Sequence, residues 1–281
     1  MIWLFVVLLF VIIGYKAYDN TKQIVINKVK INQTDETDET SDSFLHVLHL
    51  SDLHLENISI TPAQLYEKLK DEPIDFIAIT GDFLDRKRTL PKLVPYLDAL
   101  NKLNPRYGTY AVFGNHDYVL KEKDFATLKK TLEEHGCKTL QNEHRLLNIN
   151  GHPVNIIGID DHSTKRSDLV TSYQHVKDGY NLVLTHDPNV VLDMKNYDFD
   201  YLLSGHFHGG QLLYPKAYHL VKMGKLARMK MIKGLQRYDG KPFYISEGLG
   251  QTGLNIRIGC RPEITLHTLS VAKDVANEKI S

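Results

Sequence analysis

Apolar runs in this chain repeatedly end in aspartate, histidine or asparagine. After FLHVLHL comes Ser51-Asp52-Leu53-His54, and after IDFIAIT comes Gly81-Asp82-Phe83-Leu84-Asp85. GTYAVF leads into Gly114-Asn115-His116-Asp117, YNLVL into Thr185-His186-Asp187, and FDYLLS into Gly205-His206-Phe207-His208. Asp52 with His54, and His206 with His208, are separated by a single residue. In extended backbone such positions face the same side, so each pair can converge on one ion. GHFHGGQ alone would be equally at home in a polar surface loop; the recurrence of such ends along the chain is what indicates a shared site. Imidazole, carboxylate and amide donors without thiolate suit divalent ions such as Mn²⁺, Fe²⁺ or Zn²⁺. Asp52, His54, Asp82, Asn115, His186, His206 and His208 exceed the needs of one tetrahedral ion. Two ions with a bridging carboxylate are the economical arrangement. Such a pair, about 3.5–4 Å apart, can clamp the attacking and leaving oxygens of a phosphoryl displacement and generate hydroxide near neutral pH. The expected chemistry is phosphoester hydrolysis.

To bring these residues together, the runs that precede them must lie side by side. They read as buried strands, and segments near 62–70, 90–102, 121–135 and 188–195 read as helices, an alternating βαβ order. In open α/β sheets ligands bind at the C-terminal edge of the strands, where every one of these clusters falls. Asn150-Gly151, inside LLNINGHPVNIIGI, is a strong hairpin signal, and EITLHTLSV near the end is a further strand. Antiparallel strands therefore join the parallel ones.

The chain has 281 residues, zero formal net charge and 42% apolar residues, enough for a sizeable core. No global polybasic surface exists to drive general nucleic-acid binding, and none is expected. Cys137 and Cys260 stand far apart, without the spacing of a thiolate zinc site or a disulfide framework. The N-terminal MIWLFVVLLFVIIGYKAY, residues 1–18, is apolar enough to anchor the chain in a cell membrane as a single span. Lys16, Lys22, Lys28 and Lys30 follow it and nothing basic precedes it, which favours a cytoplasmic body. Residues 19–43, with the acidic NQTDETDETSDS, read as a disordered linker; 44–270 as the catalytic domain; and 271–281 as a tail.

The string SDLH, GDFLD, GNHD, LTHDP and GHFHGG, in that order over about residues 44–270, resembles the calcineurin-like metallophosphoesterase superfamily. That resemblance implies an α/β fold in which two mixed β-sheets form a sandwich flanked by helices, here preceded by one transmembrane helix. It implies Asp52, His54 and His208 on one metal, Asn115, His186 and His206 on the other, and Asp82 between them. His116 would stabilise the transition state or protonate the leaving oxygen, and Asp117 would orient it. GIDD at 158–161 and GLGQTGLNIRIGCRPEITLHTL further on look like the membrane-associated branch of bacterial phosphodiesterases. Some of that branch are similar to UDP-2,3-diacylglucosamine pyrophosphatases of lipid A synthesis. The resemblance thus implies a phosphodiester or pyrophosphate substrate in envelope lipid or glycolipid metabolism. Alternatives are a phosphomonoesterase acting on a nucleotide or phosphoprotein, and a non-catalytic metal-dependent binding module.

Other residues have quieter readings. His46 and His49 precede the catalytic end of their strand and are expected in the core or against a partner strand. Asp85 is expected to fix the loop or support a ligand rather than bind metal, and Asp187 to cap the helix that opens at Pro188. In HLVKMGKLARMKMIKG, residues 219–234, Lys222, Lys225 and Arg228 recur every three residues beside Met223, Leu226 and Met229. This fits either a short interfacial helix meeting anionic headgroups or a phosphorylated lipid, or a loop whose methionines pack on the domain.

Overall fold

The computed structural model describes residues 2–31, 44–214 and 217–272, save the side chains of Tyr218 and His219. In chain order the elements are α1 (Ile2–Asn20), β1 (Val25–Ile31), β2 (Phe44–Leu50), α2 (Pro62–Leu69), β3 (Phe76–Thr80), α3 (Leu93–Asn101), β4 (Thr109–Val112), α4 (Glu122–Glu134) and β5 (Cys137–Thr139). There follow β6 (Glu143–Ile149), β7 (His152–Gly158), α5 (Leu169–Tyr173), β8 (Tyr180–Leu184), β9 (Tyr201–Ser204), α6 (Lys225–Arg228), β10 (Gly234–Tyr238), β11 (Lys241–Ile245) and β12 (Glu263–Ser270). They form two six-stranded mixed sheets, ordered β1-β12-β2-β3-β4-β5 and β10-β11-β9-β8-β7-β6.

Both faces of each sheet are covered, which is why the central strands read as unbroken apolar runs. Along β3, Phe76 and Ala78 point into the core between the sheets, while Ile77 and Ile79 point outward to the helices. Leu45 and Val47 of β2 meet Leu182, Leu184 and Leu203 of the other sheet in that inner core. Leu65 and Leu69 of α2, Leu93 and Leu97 of α3, and Leu128 and Leu132 of α4 cover the outer face of the first sheet. The second sheet is backed by Val190, Val191 and Met194 with Leu220 and Leu226. The Asn150-Gly151 hairpin forms as its sequence predicts: both residues take positive φ, 51° and 94°, between antiparallel β6 and β7.

Two boundaries differ from the sequence reading. α1 continues to Asn20, and residues 25–31, expected as linker, form a strand parallel to β12, with Val25 opposite Glu263 and Ile31 opposite Leu269. The apolar contribution is small, with Val29 and Ile31 on the inner core and Ile26 on the outer one. Lys28 and Lys30 stay solvent-exposed, as suits an edge strand guarded against further pairing. The acidic segment 32–43 and most of the tail, 273–281, lie outside the described residues. The basic segment is no continuous helix either. It is a 3₁₀ turn at Tyr218–Met223, a break at Gly224 (φ 117°) and the single turn of α6, with Leu226 and Ala227 buried on the domain.

Candidate metal centre

Parallel pairing sets β2, β3 and β4 side by side and β8 next to β9, so their C-terminal ends reach one edge of the sandwich. The loops beyond them remain bonded to each other. Asp52 N–H donates to Gly81 O and His54 N–H to Asp82 O, both at 3.0 Å, and Gly205 N–H donates to His186 O at 3.0 Å. The two sheets meet where His206 N–H points at both carboxylate oxygens of Asp52, 3.2 Å away. Gly205 is required there: a Cβ at that position would lie 1.9 Å from Ser51 Oγ and 2.2 Å from Asp52 Oδ2.

Asp52, His54, Asp82 and His208 present donor atoms all within 4.8 Å of one another, and so do Asp82, His186 and His206. His54 Nε2 lies 3.1 Å from His208 Nε2 and 3.4 Å from Asp82 Oδ2. On the other side His186 Nε2 lies 3.1 Å from the same Asp82 Oδ2 and 3.2 Å from His206 Nδ1. Around a cation with bonds of about 2.0–2.2 Å, neighbouring ligand atoms stand roughly 3.0–3.5 Å apart, so these spacings fit divalent coordination. Asp82 Oδ2 belongs to both groups, while Oδ1 is held by His116 N–H at 2.9 Å. The Asn115 side-chain oxygen is buried without a protein partner, as is His208 Nδ1. A buried amide oxygen without a partner is a donor suited to a cation.

The ligand candidates are oriented from behind. His186 Nδ1 faces Thr80 O at 2.7 Å and His54 Nδ1 faces Asp85 Oδ1 at 3.3 Å. Each contact places the proton on Nδ1, which donates it, and leaves Nε2 free to coordinate. Asp52, His54, Asp82, His206 and His208 all adopt positive φ, between 39° and 75°. Non-glycine residues seldom do so, and such strain collects at functional sites. Electrostatics follow burial and the carboxylates. Burial alone would push the His54 imidazole down, but hydrogen bonds to Asp82 and Asp85 outweigh it and raise it to about 10. At His208 burial prevails and holds the ring down to about 3. Burial opposes the charge of Asp82 as well, yet His186 and His54 keep its carboxyl well below the usual range.

His116 is more exposed than these residues, its side chain 29% accessible. Its Nδ1 lies 3.0 Å from Asp85 Oδ1, and its ring meets the His54 ring edge-on at 4.8 Å. The expectation that Asp117 orients His116 is therefore corrected. Asp117 is fully buried and accepts N–H bonds from Asp82 (2.9 Å), Phe83 (2.8 Å), Leu84 (3.3 Å) and Gly114 (2.9 Å). It locks two site loops together, and orientation of the imidazole falls to Asp85. Asp187 caps as expected, accepting Asn189 N–H at 2.9 Å. His46 pairs with Asp75 and His49 with Thr80, and neither is among the clustered donor residues.

Sequence reasoning passed over Arg257. It is wholly buried, and its guanidinium donates to the carbonyls of Glu247, Gly248, Gly250 and Arg261 at 2.7–2.9 Å. Gly250 N–H in turn holds Asp52 O at 2.7 Å, so a buried cation braces the Asp52 loop from behind. Its only local signal was an arginine set among glycines and apolar residues.

A two-sheet α/β sandwich with buried histidine–carboxylate clusters at its strand ends is the arrangement a metallophosphoesterase requires. The chain belongs to the calcineurin-like phosphoesterase family, which matches residues 45–210, and is a metal-dependent phosphoester hydrolase. It is 63% identical over 263 residues to the metallophosphoesterase YkoQ of Bacillus subtilis (strain 168), a match spanning 94% of this chain and 97% of YkoQ. Identity to phosphodiesterase YaeI of Escherichia coli (strain K12) is 25% over 224 residues, 78% of this chain and 80% of YaeI. Among solved structures, phosphopantetheinyl hydrolase PptH from Mycobacterium tuberculosis aligns with a TM-score of 0.47 at 13% identity, over 73% of this chain and 89% of that one.

Proposed function

We propose that the protein is a membrane-anchored phosphodiesterase or pyrophosphatase that works with two divalent ions of the Mn²⁺, Fe²⁺ or Zn²⁺ kind. The observation that carries this reading is Asp82 Oδ2, which lies within 3.4 Å of His54 Nε2 and 3.1 Å of His186 Nε2 and so serves both donor clusters. Asp52, His54 and His208 would hold one ion and Asn115, His186 and His206 the other. Bound there, the ions would supply electrophilic charge and water activation for phosphoester hydrolysis. His116, at the accessible edge, delivers the proton to the leaving oxygen. Asp85 keeps its Nδ1 occupied, which leaves Nε2 as the atom for proton transfer.

A diester is favoured by the likeness to a relative named phosphodiesterase. Membrane attachment is supported by α1, whose 19 residues have a mean hydropathy of 1.9 over the most apolar stretch and are almost wholly exposed there. The helix is also fastened to the body. Arg257 N–H donates to Ala17 O at 2.9 Å, Asn20 Nδ2 to Arg257 O at 3.0 Å, and Thr21 Oγ1 shares a hydrogen with Ser59 Oγ at 2.7 Å. An apolar helix fixed beside the Asp52 loop suits a substrate drawn from envelope lipid or glycolipid, with the body on the cytoplasmic face as the lysines favour. The deciding experiment loads purified protein with Mn²⁺ and compares bis(p-nitrophenyl) phosphate with p-nitrophenyl phosphate, alongside elemental analysis. Diester turnover with two ions per chain is the expected result. Preference for the monoester, or one ion at full activity, would overturn it, and bound metal without turnover of either ester would leave a binding module.

A further inference from the structure

A cleft of about 710 Å³ opens beside the site, with His206 and Asp187 on its wall and Lys165, Lys222 and Lys225 around it. Its size is that of a small-molecule site. Among the described residues none of these lysines makes an ion pair or a side-chain hydrogen bond. Both turns that carry them are fixed. Asn189, buried and bonded to Asp187 at 2.7 Å, donates to Met223 O at 2.8 Å and accepts Leu226 N–H at 3.1 Å, so it grips the Lys222–Lys225 turn from both sides. A Cβ on Gly224 would lie 2.4 Å from that amide. Lys165 sits at φ 62° on a turn held by Asp161, whose Oδ2 accepts from Ser163 Oγ and Thr164 N–H at 2.8 Å each. Two carboxylates share the wall with the three lysines. Asp187 is committed to Asn189, and Asp193 lies 3.8 Å from His162 Nε2 with most of its side chain in water. Arg228, which shares the sequence pattern, does not line the cleft, whereas Lys165, distant in sequence, does.

We propose that this cleft is a second-anion subsite, in which Lys165, Lys222 and Lys225 hold a further phosphate of a substrate whose scissile phosphate lies on the His206 side. The substrate class is then a bis-anion, such as a diphosphate-linked or doubly phosphorylated molecule. This rests on the phosphoesterase reading above. Like charges placed without partners around one cavity favour a polyanion by long-range attraction and individual charge-assisted bonds.

The test is calorimetric, on metal-loaded full-length protein in detergent. Methylphosphonate is compared with two diphosphonates, α,β-methylene-ADP and its geranyl counterpart, which separate a nucleoside from a lipid source. At least one diphosphonate is expected to bind about ten-fold tighter than methylphosphonate, an advantage of the size three partly exposed charge pairs supply and one that shrinks at high salt. K165A/K222A/K225A should lose that advantage and keep its methylphosphonate affinity. R86A/R88A, in a separate cleft beside Asp85, should retain it. An advantage that survives in the lysine variant, is lost in the arginine variant instead, or is missing from the native protein overturns the subsite. If methylphosphonate fails to bind and no phosphoester is turned over, the phosphoesterase reading falls first and takes the subsite with it.

Discussion

Asp85 Oδ1 lies 3.0 Å from His116 Nδ1, whereas Asp117, the residue next to His116 in sequence, spends its carboxylate on backbone amides. Two acids that look interchangeable in sequence thus have separable roles. Burial works against a charged His116, but the hydrogen bond to Asp85 raises it above its ordinary value. If His116 acts as the acid, activity falls as pH rises through its titration. Asp85→Asn should therefore move the basic limb of kcat to lower pH and cut kcat about 10–100-fold, with metal content measured alongside. Asp117→Asn should lower the melting temperature and leave the position of that limb alone. Identical pH profiles for Asp85→Asn and the native protein would remove Asp85 from this role.

Asp82 is the residue shared by both donor clusters. Asp82→Ala is expected to lose both ions and at least about 1,000-fold in turnover, since metals supply several kcal/mol of transition-state stabilisation. His206→Ala should retain one ion. Elemental analysis of the two variants checks the difference, and equal metal loss from both would argue against separate centres.

Arg257 is a buried cation whose guanidinium donates to four backbone carbonyls, with Cys260 Sγ 3.9 Å away. Replacement by Met leaves those carbonyls without donors and should cost roughly 1–3 kcal/mol for each one that stays buried and unmet. Urea unfolding measures it. Because Gly248 and Gly250 lean on Asp52, metal affinity should fall as well. A variant of native stability would mean that the loop is held by other bonds.

His49 and His267 lie next to each other in the interior, their rings tilted by 40° with centroids 5.7 Å apart. Burial holds His49 down to about 3 and His267 well below its ordinary value. Both are depressed in the folded chain, so their contribution is complete above the ordinary 6.5 and is lost as pH falls below it, where the unfolded chain takes up protons that the folded one refuses. Each adds about 1.4 kcal/mol of destabilisation per pH unit over that window. In the metal-free protein with chelator present, His267→Phe should flatten the dependence of unfolding free energy on pH between 6 and 5 by about that amount. An unaltered slope would show that His267 titrates normally.

Much of this site could be read in the chain because each donor follows directly from a strand that burial makes legible. Asp52, Asp82, Asn115, His186 and His206 come within two residues of apolar runs, and parallel pairing leaves such residues one shared edge to occupy. The unbroken apolar runs of strands covered on both faces made the sheets recognisable. β1 was hidden because lysines on the exposed side of an edge strand look like linker when the partner strand, β12, lies at the other end of the chain.

Residue types and their local order, by themselves, determined which chemistry is available and which side chains are candidates to supply it, because donor identity and strand pattern are properties of short stretches. Only the tertiary structure decided that Asp85 rather than Asp117 serves His116, that Arg257 braces Asp52, and that Lys165 joins Lys222 and Lys225 around one cleft. These are contacts between distant segments, set by how two sheets and their loops close on each other, and sequence neighbourhood carries no information about them.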